Sequence, residues 1–504
     1  MNSSSQAQSM EHIKKGPIIA ALLIGAFVAF LNQTLMNVAL PKIMDDLGIQ
    51  ATTGQWLTTG YMLVNGVLIP VTAFLIARFS TRQLFISAMS LFTLGTLVCA
   101  VSPSFAILMV GRLIQAGGAG ILMPLMTVVF LNIFPVEKRG SAMGMMGIAM
   151  ILAPAIGPTL SGYIVEHYSW RVLFYIILPF AIIATVIGIL FVRNVTKVTK
   201  PKFDFISVVL STAGFGGLLY GFSEAGTSGW DSAEVIRWLV IGTVALIAFV
   251  VVQLMSKNPM LEFRIFKYNM FTLTTLINVI VTMAMYAAMI LMPLFLQNIR
   301  GFTPLESGLM MLPGAIVMGI MSPITGAIFD RIGARWLSVI GLAITVGMTY
   351  EFSHLSVDTS YGHLMFIYTA RMFGMSLLMM PIQTAGLNQL PRSMNAHGTA
   401  MSNTLRTISG SIGTAILVTV MTSHTKHYVT EGVKAGVAKM TDKAQMDILT
   451  AQSMVHGIND AFVIATWLSV ASLILAFFIK KTMPQEENPK AEMQRVGETV
   501  NAKA

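Results

Sequence analysis

Apolar stretches long enough to cross a lipid bilayer recur along almost the whole chain. A membrane-spanning helix needs about 20 mostly apolar residues, because each backbone amide within the roughly 30 Å of hydrocarbon must find its partner inside the helix. Fourteen stretches reach this length and predict an all-α integral membrane protein. They cover roughly residues 17–40, 55–76, 84–102, 105–131, 141–165, 170–192, 206–224, 235–255, 271–296, 305–329, 336–354, 361–390, 398–422 and 458–480.

The distribution of charge indicates how these spans are oriented. The chain is 55% hydrophobic and 11% charged, with a net charge of +10. Alternate loops on the side shared by both chain ends hold 21 of the 32 Lys and Arg residues, whereas the opposite loops hold 8. Positively charged loops stay in the cytoplasm, so we expect both termini there and expect no nucleic-acid partner.

The first apolar stretch follows Lys14 and Lys15, as the apolar part of a secretory signal would. It lacks a small-residue cleavage pattern and is followed by thirteen further spans, so we expect an uncleaved first helix. Cys99 is the only cysteine, which excludes an internal disulfide.

The chain also contains an internal repeat. Matching features are separated by 253, 259 and 256 residues, measured from Ala73 to Gly326, from Arg112 to Arg371 and from Gly157 to Gly413. These offsets predict two six-helix bundles with two helices inserted between them, and transporters built this way bind substrate between the halves near the midplane. The predicted boundaries are 1–193 for the first bundle, 194–268 for the linker with the inserted helices, 269–481 for the second bundle and 482–504 for a disordered cytoplasmic tail.

Polar side chains inside the spans are candidates for a substrate cavity. In the first span, Gln33, Thr34 and Asn37 share one helix face. A polar group in lipid must face water, substrate or another helix, so hydrogen bonding between helices is the alternative to a cavity. The predicted cavity residues are Asn32, Gln33, Asn37, Tyr61, Asn65, Gln115, Met379, Gln383 and Asn403.

Arg112 is the main candidate for a functional charge. An arginine at a helix centre costs about 3 kcal/mol on insertion scales, and Gln115 lies three residues further on the same face. A structural role through neighbouring carbonyls is the alternative, and for Arg371 and Arg406 both readings remain open. Acidic residues are nearly absent from span centres, so Glu306 and Asp460 are the predicted proton carriers beside Arg112.

Two further groups of residues suggest moving parts. Small residues and prolines in the fifth span permit close helix approach or simply kink a helix. Charged residues at a cytoplasmic helix end indicate a gate, with a solvated loop as the alternative. The predicted gating residues are Pro154, Gly157, Pro158, Gly162, Arg78, Asp330, Arg331 and Arg335.

Four stretches together resemble the major facilitator superfamily, and within it the fourteen-span drug:proton antiporters of the EmrB, QacA and lincomycin-resistance type. They are Leu31–Pro41, Gly111–Gly118, Ala153–Gly162 and Gly326–Arg335. The resemblance implies a monomeric, proton-coupled multidrug exporter of the cytoplasmic membrane, with lincosamide-type antibiotics among its possible substrates. It also implies a part in proton coupling for Arg112 and an exporter motif in the fifth span. The chain departs from many relatives at Asn32 and Ala77, where they carry acidic residues.

The alternatives are an exporter dedicated to one endogenous metabolite and a membrane-embedded enzyme. The sequence has no His-Glu-x-x-His, Gly-x-Ser-x-Gly or phosphate-loop motif, so we expect neither enzymatic activity nor a cofactor or metal. A proton gradient of about 150 mV would supply roughly 3.5 kcal/mol per proton. The 38 methionines are typical of adaptable surfaces that accept differently shaped drug-like ligands.

Overall fold

A computed structural model describes residues 15–196, 198–199, 204–256, 259–435, 437 and 443–480. The described residues form α-helices with short connections and contain no strand. The predicted tail 482–504 lies outside them. The helices are α1 (Lys15–Leu47), α2 (Ala51–Arg78), α3 (Thr81–Ala100), α4 (Phe105–Ile133), α5 (Arg139–His167), α6 (Arg171–Phe191), α7 (Phe205–Ser228), α8 (Ala233–Met255), α9 (Asn269–Leu294), α10 (Pro304–Ile332), α11 (Ala334–Glu351), α12 (Tyr361–Ser376), α13 (Met379–Asn388), α14 (Asn395–Lys434) and α15 (Lys443–Ala476).

Thirteen helical segments of the described chain are long and apolar enough to cross a membrane, with α12 and α13 counted as one. The prediction of an all-helical, multi-pass membrane protein is therefore confirmed. The helix not among the thirteen is α5, which has 29 residues and at 1.5 Å per residue extends for about 43 Å.

The predicted span 361–390 is broken in the middle. The helix α12 ends at Ser376, and the amides of Leu377 and Leu378 bond to carbonyls only three residues back. Pro381 has no amide hydrogen to give to the Leu377 carbonyl, so one α-helical hydrogen bond is missing at this point. The chain consequently restarts as a separate short helix, α13.

Residues 423–457, which the sequence leaves between the last two apolar stretches, are helical over most of their length. The structure continues α14 to Lys434 and begins α15 at Lys443. Hydropathy detects only the part of a helix that lies in lipid, whereas the backbone bonds of a helix continue as readily through polar residues in water. The two helices therefore project beyond the apolar segments on which the prediction was based.

Local sequence explains several of the helix ends. Ser80 and Gln83 form a reciprocal capping box at the start of α3, and Thr303 and Glu306 form another at the start of α10. Each box satisfies amide groups that the first helical turn leaves without partners. Gly333, with φ of +83°, ends α10 in a conformation that favours glycine.

Buried apolar clusters hold the helices together, and three of them are large. The first is built from residues between Ile18 and Val192 together with Met380, and the second from residues between Ile277 and Ile479. The third joins α2, α7 and α8 to α9, α13 and α14. Met380 in α13 thus belongs to the core formed by α1 to α6. This helix of the C-terminal half therefore packs directly against the N-terminal helices. The predicted domain boundaries stay predictions.

One polar clamp ties α1, α6 and the connection between α3 and α4 at the end of the bundle where α1 terminates. Asp46 accepts hydrogen bonds from Trp170 Nε1 (2.9 Å) and Arg171 Nη1 (3.2 Å), and Arg171 also donates to the Ser102 carbonyl. Hydrogen bonds from Trp170 and Arg171 hold the pKa of the Asp46 carboxyl below its ordinary value. The carboxylate therefore stays ionised at neutral pH and keeps the clamp intact.

Candidate functional site

Arg112 lies fully buried on α4 and is surrounded by neutral groups. Its Nη1 donates to Gln115 Oε1 at 2.8 Å, and its Nε donates to the Leu57 carbonyl at 3.4 Å. Gln115 Nε2 in turn donates to Thr96 Oγ1 at 2.8 Å. The guanidinium carbon is 4.1 Å from the centroid of the Tyr61 ring, a geometry that favours a cation–π attraction. The predicted neighbour Gln115 is thus in direct contact with Arg112.

A cleft lies next to this arginine, between α1, α2 and α4. Gln33, Tyr61 and Asn65 contribute its polar walls, and its apolar walls include Phe30 and Met123. Asn32 is buried behind it and contacts the Tyr61 hydroxyl. One face of Tyr61 therefore belongs to the cleft wall while its ring also contacts Arg112, so the cleft and the buried charge share a side chain. The side chain of Asn37 lies outside the described part of the structure.

The other half of the chain places Arg371 in a similar setting on α12. Its Nε donates to Thr349 Oγ1 and its Nη2 to the Ala284 carbonyl, both at 3.0 Å. Met379 begins α13, and Gln383 and Asn403 are buried on α13 and α14. The two amide atoms of Asn403 have no hydrogen-bond partner within the described structure. The structure brings together five of the predicted cavity residues, Asn32, Gln33, Tyr61, Asn65 and Gln115, whereas those on α13 and α14 do not line this cleft.

Asp330, near the end of α10, contacts the first turn of α5 in the other half of the chain. Its Oδ1 accepts from the Gly140 amide at 2.7 Å, and its Oδ2 accepts from the Ser141 amide and hydroxyl at 2.9 and 2.7 Å. The carboxylate thereby caps a helix N-terminus, where unsatisfied amides and the helix dipole favour negative charge. We call the α5–α10 contact around Asp330 the Asp330 seam.

Small residues allow the two helices of this seam to approach closely. A side-chain carbon added at Gly326 would lie 2.2 Å from the Gly140 carbonyl oxygen, and one added at Gly144 would lie 2.5 Å from the Ser322 carbonyl oxygen. Ser322 Oγ also donates to the Gly144 carbonyl at 2.9 Å. Backbones at such separations leave no room for larger residues, so the small side chains are a requirement of the packing.

Sequence reasoning missed Arg139, the first residue of α5. Its Nη1 donates to Asn388 Oδ1 at 3.0 Å, across the two halves, and its Nη2 donates to the Leu131 carbonyl at 2.8 Å. The sequence did contain a feature that could have indicated this contact: a basic residue at the start of a glycine-rich helix, at the same end of the bundle as Asp330. It was counted only as a loop charge because the apolar span starts two residues later.

The small residues of α5 differ in what they contact. A side-chain carbon at Gly157 would lie 2.2 Å from Thr34 Oγ1 on α1, whereas nothing lies within 4 Å of the same position at Gly162. Close helix approach therefore occurs at Gly157 and not at Gly162. The side chains of Pro154 and Pro158 lie outside the described part of the structure.

The remaining predicted residues lie at helix ends. Glu306 accepts from the Thr303 amide in the cap of α10, and Asp460 Oδ2 is 2.8 Å from His424 Nδ1 between α14 and α15. The first carboxylate caps a helix and the second contacts a neighbouring helix. Their roles in proton coupling stay predictions. The others are exposed or end a helix: Arg78 is the last residue of α2, Arg331 is exposed, and Arg335 lies beside the Trp336 ring.

Comparison with known proteins agrees with this architecture. Residues 22–414 match the Major Facilitator Superfamily. The chain is 43% identical to the lincomycin resistance protein LmrB of Bacillus subtilis (strain 168), over 94% of this chain and 98% of that protein. It is 30% identical to the multidrug export protein EmrB of Escherichia coli (strain K12), over 80% and 79% of the two chains.

A solved structure shows the same fold at low sequence identity. The proton:xylose symporter XylE superposes with a TM-score of 0.61 at 12% identity, over 93% of this chain and 96% of that one. The family match, the relatives and the helical architecture confirm the resemblance inferred from the four sequence stretches. The chain belongs to the major facilitator superfamily and resembles its EmrB-like and lincomycin-resistance-type drug exporters.

Proposed function

We propose that this protein is a proton-driven exporter of drug-like amphiphiles in the cell membrane. It has fourteen membrane spans, with α5 as the fifth, and both termini are cytoplasmic. The two halves rock around a site near the midplane, so that the site opens to one side of the membrane at a time. Lincosamide-type antibiotics are the first substrates to test, because the relative LmrB is named for lincomycin resistance.

The observation that carries this proposal is the contact of Arg112 with a wall of the cleft. Arg112 is buried without a carboxylate partner, and Tyr61 joins it to the cleft lined by Gln33 and Asn65. A charge in a low-dielectric site is sensitive to the protonation and occupancy of its neighbours. A substrate that moves Tyr61 would alter the environment of Arg112, which gives a physical route from drug binding to ion coupling.

The Asp330 seam supports the gating part of the proposal. Its hydrogen bonds join the two halves at the end of the bundle where the positive-inside rule places the cytoplasm. A contact of this kind exists only while that end is closed. The structure thus has the features expected of a state closed toward the cytoplasm.

Transport in everted membrane vesicles tests the function directly. We expect uptake of lincomycin that collapses when an uncoupler is added and that continues without ATP as long as an imposed proton gradient persists. Empty vesicles provide the background. Uptake that resists the uncoupler and requires ATP would exclude the antiport mechanism.

Arg112 variants test the link between the cleft and coupling. We expect Arg112→Ala to reduce uptake by at least tenfold, and Arg112→Lys to restore little because an ammonium cannot reproduce the paired guanidinium contacts. Gln115→Ala, which removes one partner while retaining the charge, should have an intermediate effect. Near-normal uptake by correctly inserted Arg112→Ala would assign Arg112 a structural role only.

A further inference from the structure

Four arginines lie within the helical bundle, and one of them differs from the rest. Arg112, Arg139 and Arg371 each donate to carbonyl, amide or hydroxyl oxygens of the protein. Arg406 on α14 makes no hydrogen bond or ion pair with any described residue. It is half-buried, and the five N–H donors of its guanidinium have no partner among the described residues.

Arg406 lies in the part of α14 that packs against α2. It is the twelfth residue of α14, about 16 Å along the helix from Asn395 and hence close to mid-membrane. The next residue, Thr407, contacts α2 at Gly66, where an added side-chain carbon would lie 3.7 Å from Thr407 Cγ2. Gly66 adjoins Asn65, which lines the cleft described above. Arg406 is therefore next to the residue of α14 that faces α2 at Gly66.

A second unsatisfied polar group lies beside it. Asn403 is three residues earlier on α14 and so shares that side of the helix. It is 2% exposed, yet neither atom of its amide has a hydrogen-bond partner in the described structure. A buried amide without hydrogen-bond partners is unfavourable, and a ligand that supplied partners would remove this cost.

No carboxylate interacts with Arg406 among the described residues. Tyr286 on α9 is the titratable side chain that interacts with Arg406 among the described residues, and its ring packs against Gly410, one turn further along α14. A phenol is neutral at physiological pH and can donate a hydrogen bond. The set thus offers a cation and two hydrogen-bonding groups, without the carboxylate that would neutralise the cation.

We propose that Arg406, with Asn403 and Tyr286 beside it, binds the acidic group of anionic amphiphiles that the protein exports. A guanidinium binds carboxylate or sulfonate oxygens through two parallel hydrogen bonds, which an ammonium cannot do. The proposal rests on the exporter function and specifies its substrate class.

A matched pair of fluorescent probes tests this site by equilibrium binding. Dansylglycine carries a carboxylate, and dansylglycinamide is its neutral counterpart of nearly the same shape. Purified full-length protein in nanodiscs should bind dansylglycine at least tenfold more tightly than the amide. Arg406→Gln should abolish this preference while leaving amide binding unchanged, and Arg406→Lys should retain part of it.

The controls separate this site from total charge and from transport. Arg237→Gln removes one exposed arginine on α8 and should leave the preference intact. Thermal unfolding monitors whether each variant is folded, and Asn403→Leu, which keeps Arg406, should weaken only the acidic probe. The proposal is overturned if the wild type shows no preference for the acid, or if folded Arg406→Gln or Arg406→Lys retains it in full. Equilibrium binding requires no proton gradient. The binding result therefore stands by itself even if the transport experiment shows no coupling to protons.

Discussion

The two seams between the halves of this transporter differ although the internal repeat relates them. In the Asp330 seam, α10 caps the start of α5 with a carboxylate, and glycines bring the backbones together. In the related seam, α2 packs against α14, and Ala73 and Ala400 lie in one buried cluster. Ala77 occupies the place of Asp330, 253 residues earlier, and its carbonyl accepts a hydrogen bond from the Thr199 amide instead. The fold is repeated, but the polar contact is not.

The difference indicates how much each seam stabilises the closed state. Hydrogen bonds to a charged group contribute about 1.5–3 kcal/mol each, enough to shift a two-state ratio by more than tenfold. The α2–α14 seam has no such carboxylate, and Asn395 and Thr399 on α14 carry buried polar atoms without partners in the described structure. We infer that the Asp330 seam is the main lock at this end and that the other seam closes mainly by apolar packing.

The largest expected effect comes from preventing the Asp330 seam from closing. Gly326→Ala would place a carbon 2.2 Å from the Gly140 carbonyl oxygen, so the helices must separate. We expect at least a tenfold loss of lincomycin uptake in everted vesicles, normalised to the amount of inserted protein. Gly162→Ala on α5 is the matched control, since nothing lies within 4 Å of that position. Equal activity of the two variants would contradict the close packing of this seam.

A somewhat smaller effect is expected when only the charge of the lock is removed. In Asp330→Asn an NH₂ group replaces one of the two carboxylate oxygens that accept from the Gly140 and Ser141 amides. An NH₂ group cannot accept a hydrogen bond, so at least one of these bonds is lost. Because the contact belongs to one conformational state, turnover should fall about tenfold while drug affinity changes little. Single-turnover and equilibrium binding measurements separate the two quantities. Parallel losses of rate and affinity would argue against a state-specific role.

Adding the missing acid to the other seam should have the smallest effect. Ala77→Asp would place a carboxylate at the position that the repeat relates to Asp330, where a charge–dipole contact with α14 would contribute about 0.3–1 kcal/mol. We expect turnover to slow by about two- to five-fold, because the closed end becomes harder to open. In the double variant with Asp330→Asn, the new carboxylate should instead recover part of the lost rate. If the double variant is slower than Asp330→Asn alone, the two seams do not substitute for each other.

The sequence predicted the helices and the Arg112–Gln115 contact because both depend on local periodicity. It also predicted that Asp330 closes a gate, but it could not identify the partner. The partner is a pair of backbone amides at the start of α5, and backbone groups carry no residue-specific signal in a sequence. The extension of α14 to Lys434 was missed for a related reason, since its polar residues lie outside the apolar pattern. Arg139 shows that a charge next to a span is easily misread as a loop residue when its long-range contact is unknown.

A distance measurement across the Asp330 seam tests the account most directly. Cys99 is the only cysteine and is buried, so a Cys99→Ala background permits spin labels at Lys138→Cys before α5 and Ile332→Cys at the end of α10. Pulsed electron paramagnetic resonance should show a short-distance population that corresponds to the closed seam and a longer one that corresponds to the open seam. We predict that Asp330→Asn depletes the short population at least tenfold relative to the long one, whereas Gly162→Ala leaves the distribution unchanged. A distribution that Asp330→Asn does not alter would contradict the conclusion that this carboxylate locks the seam.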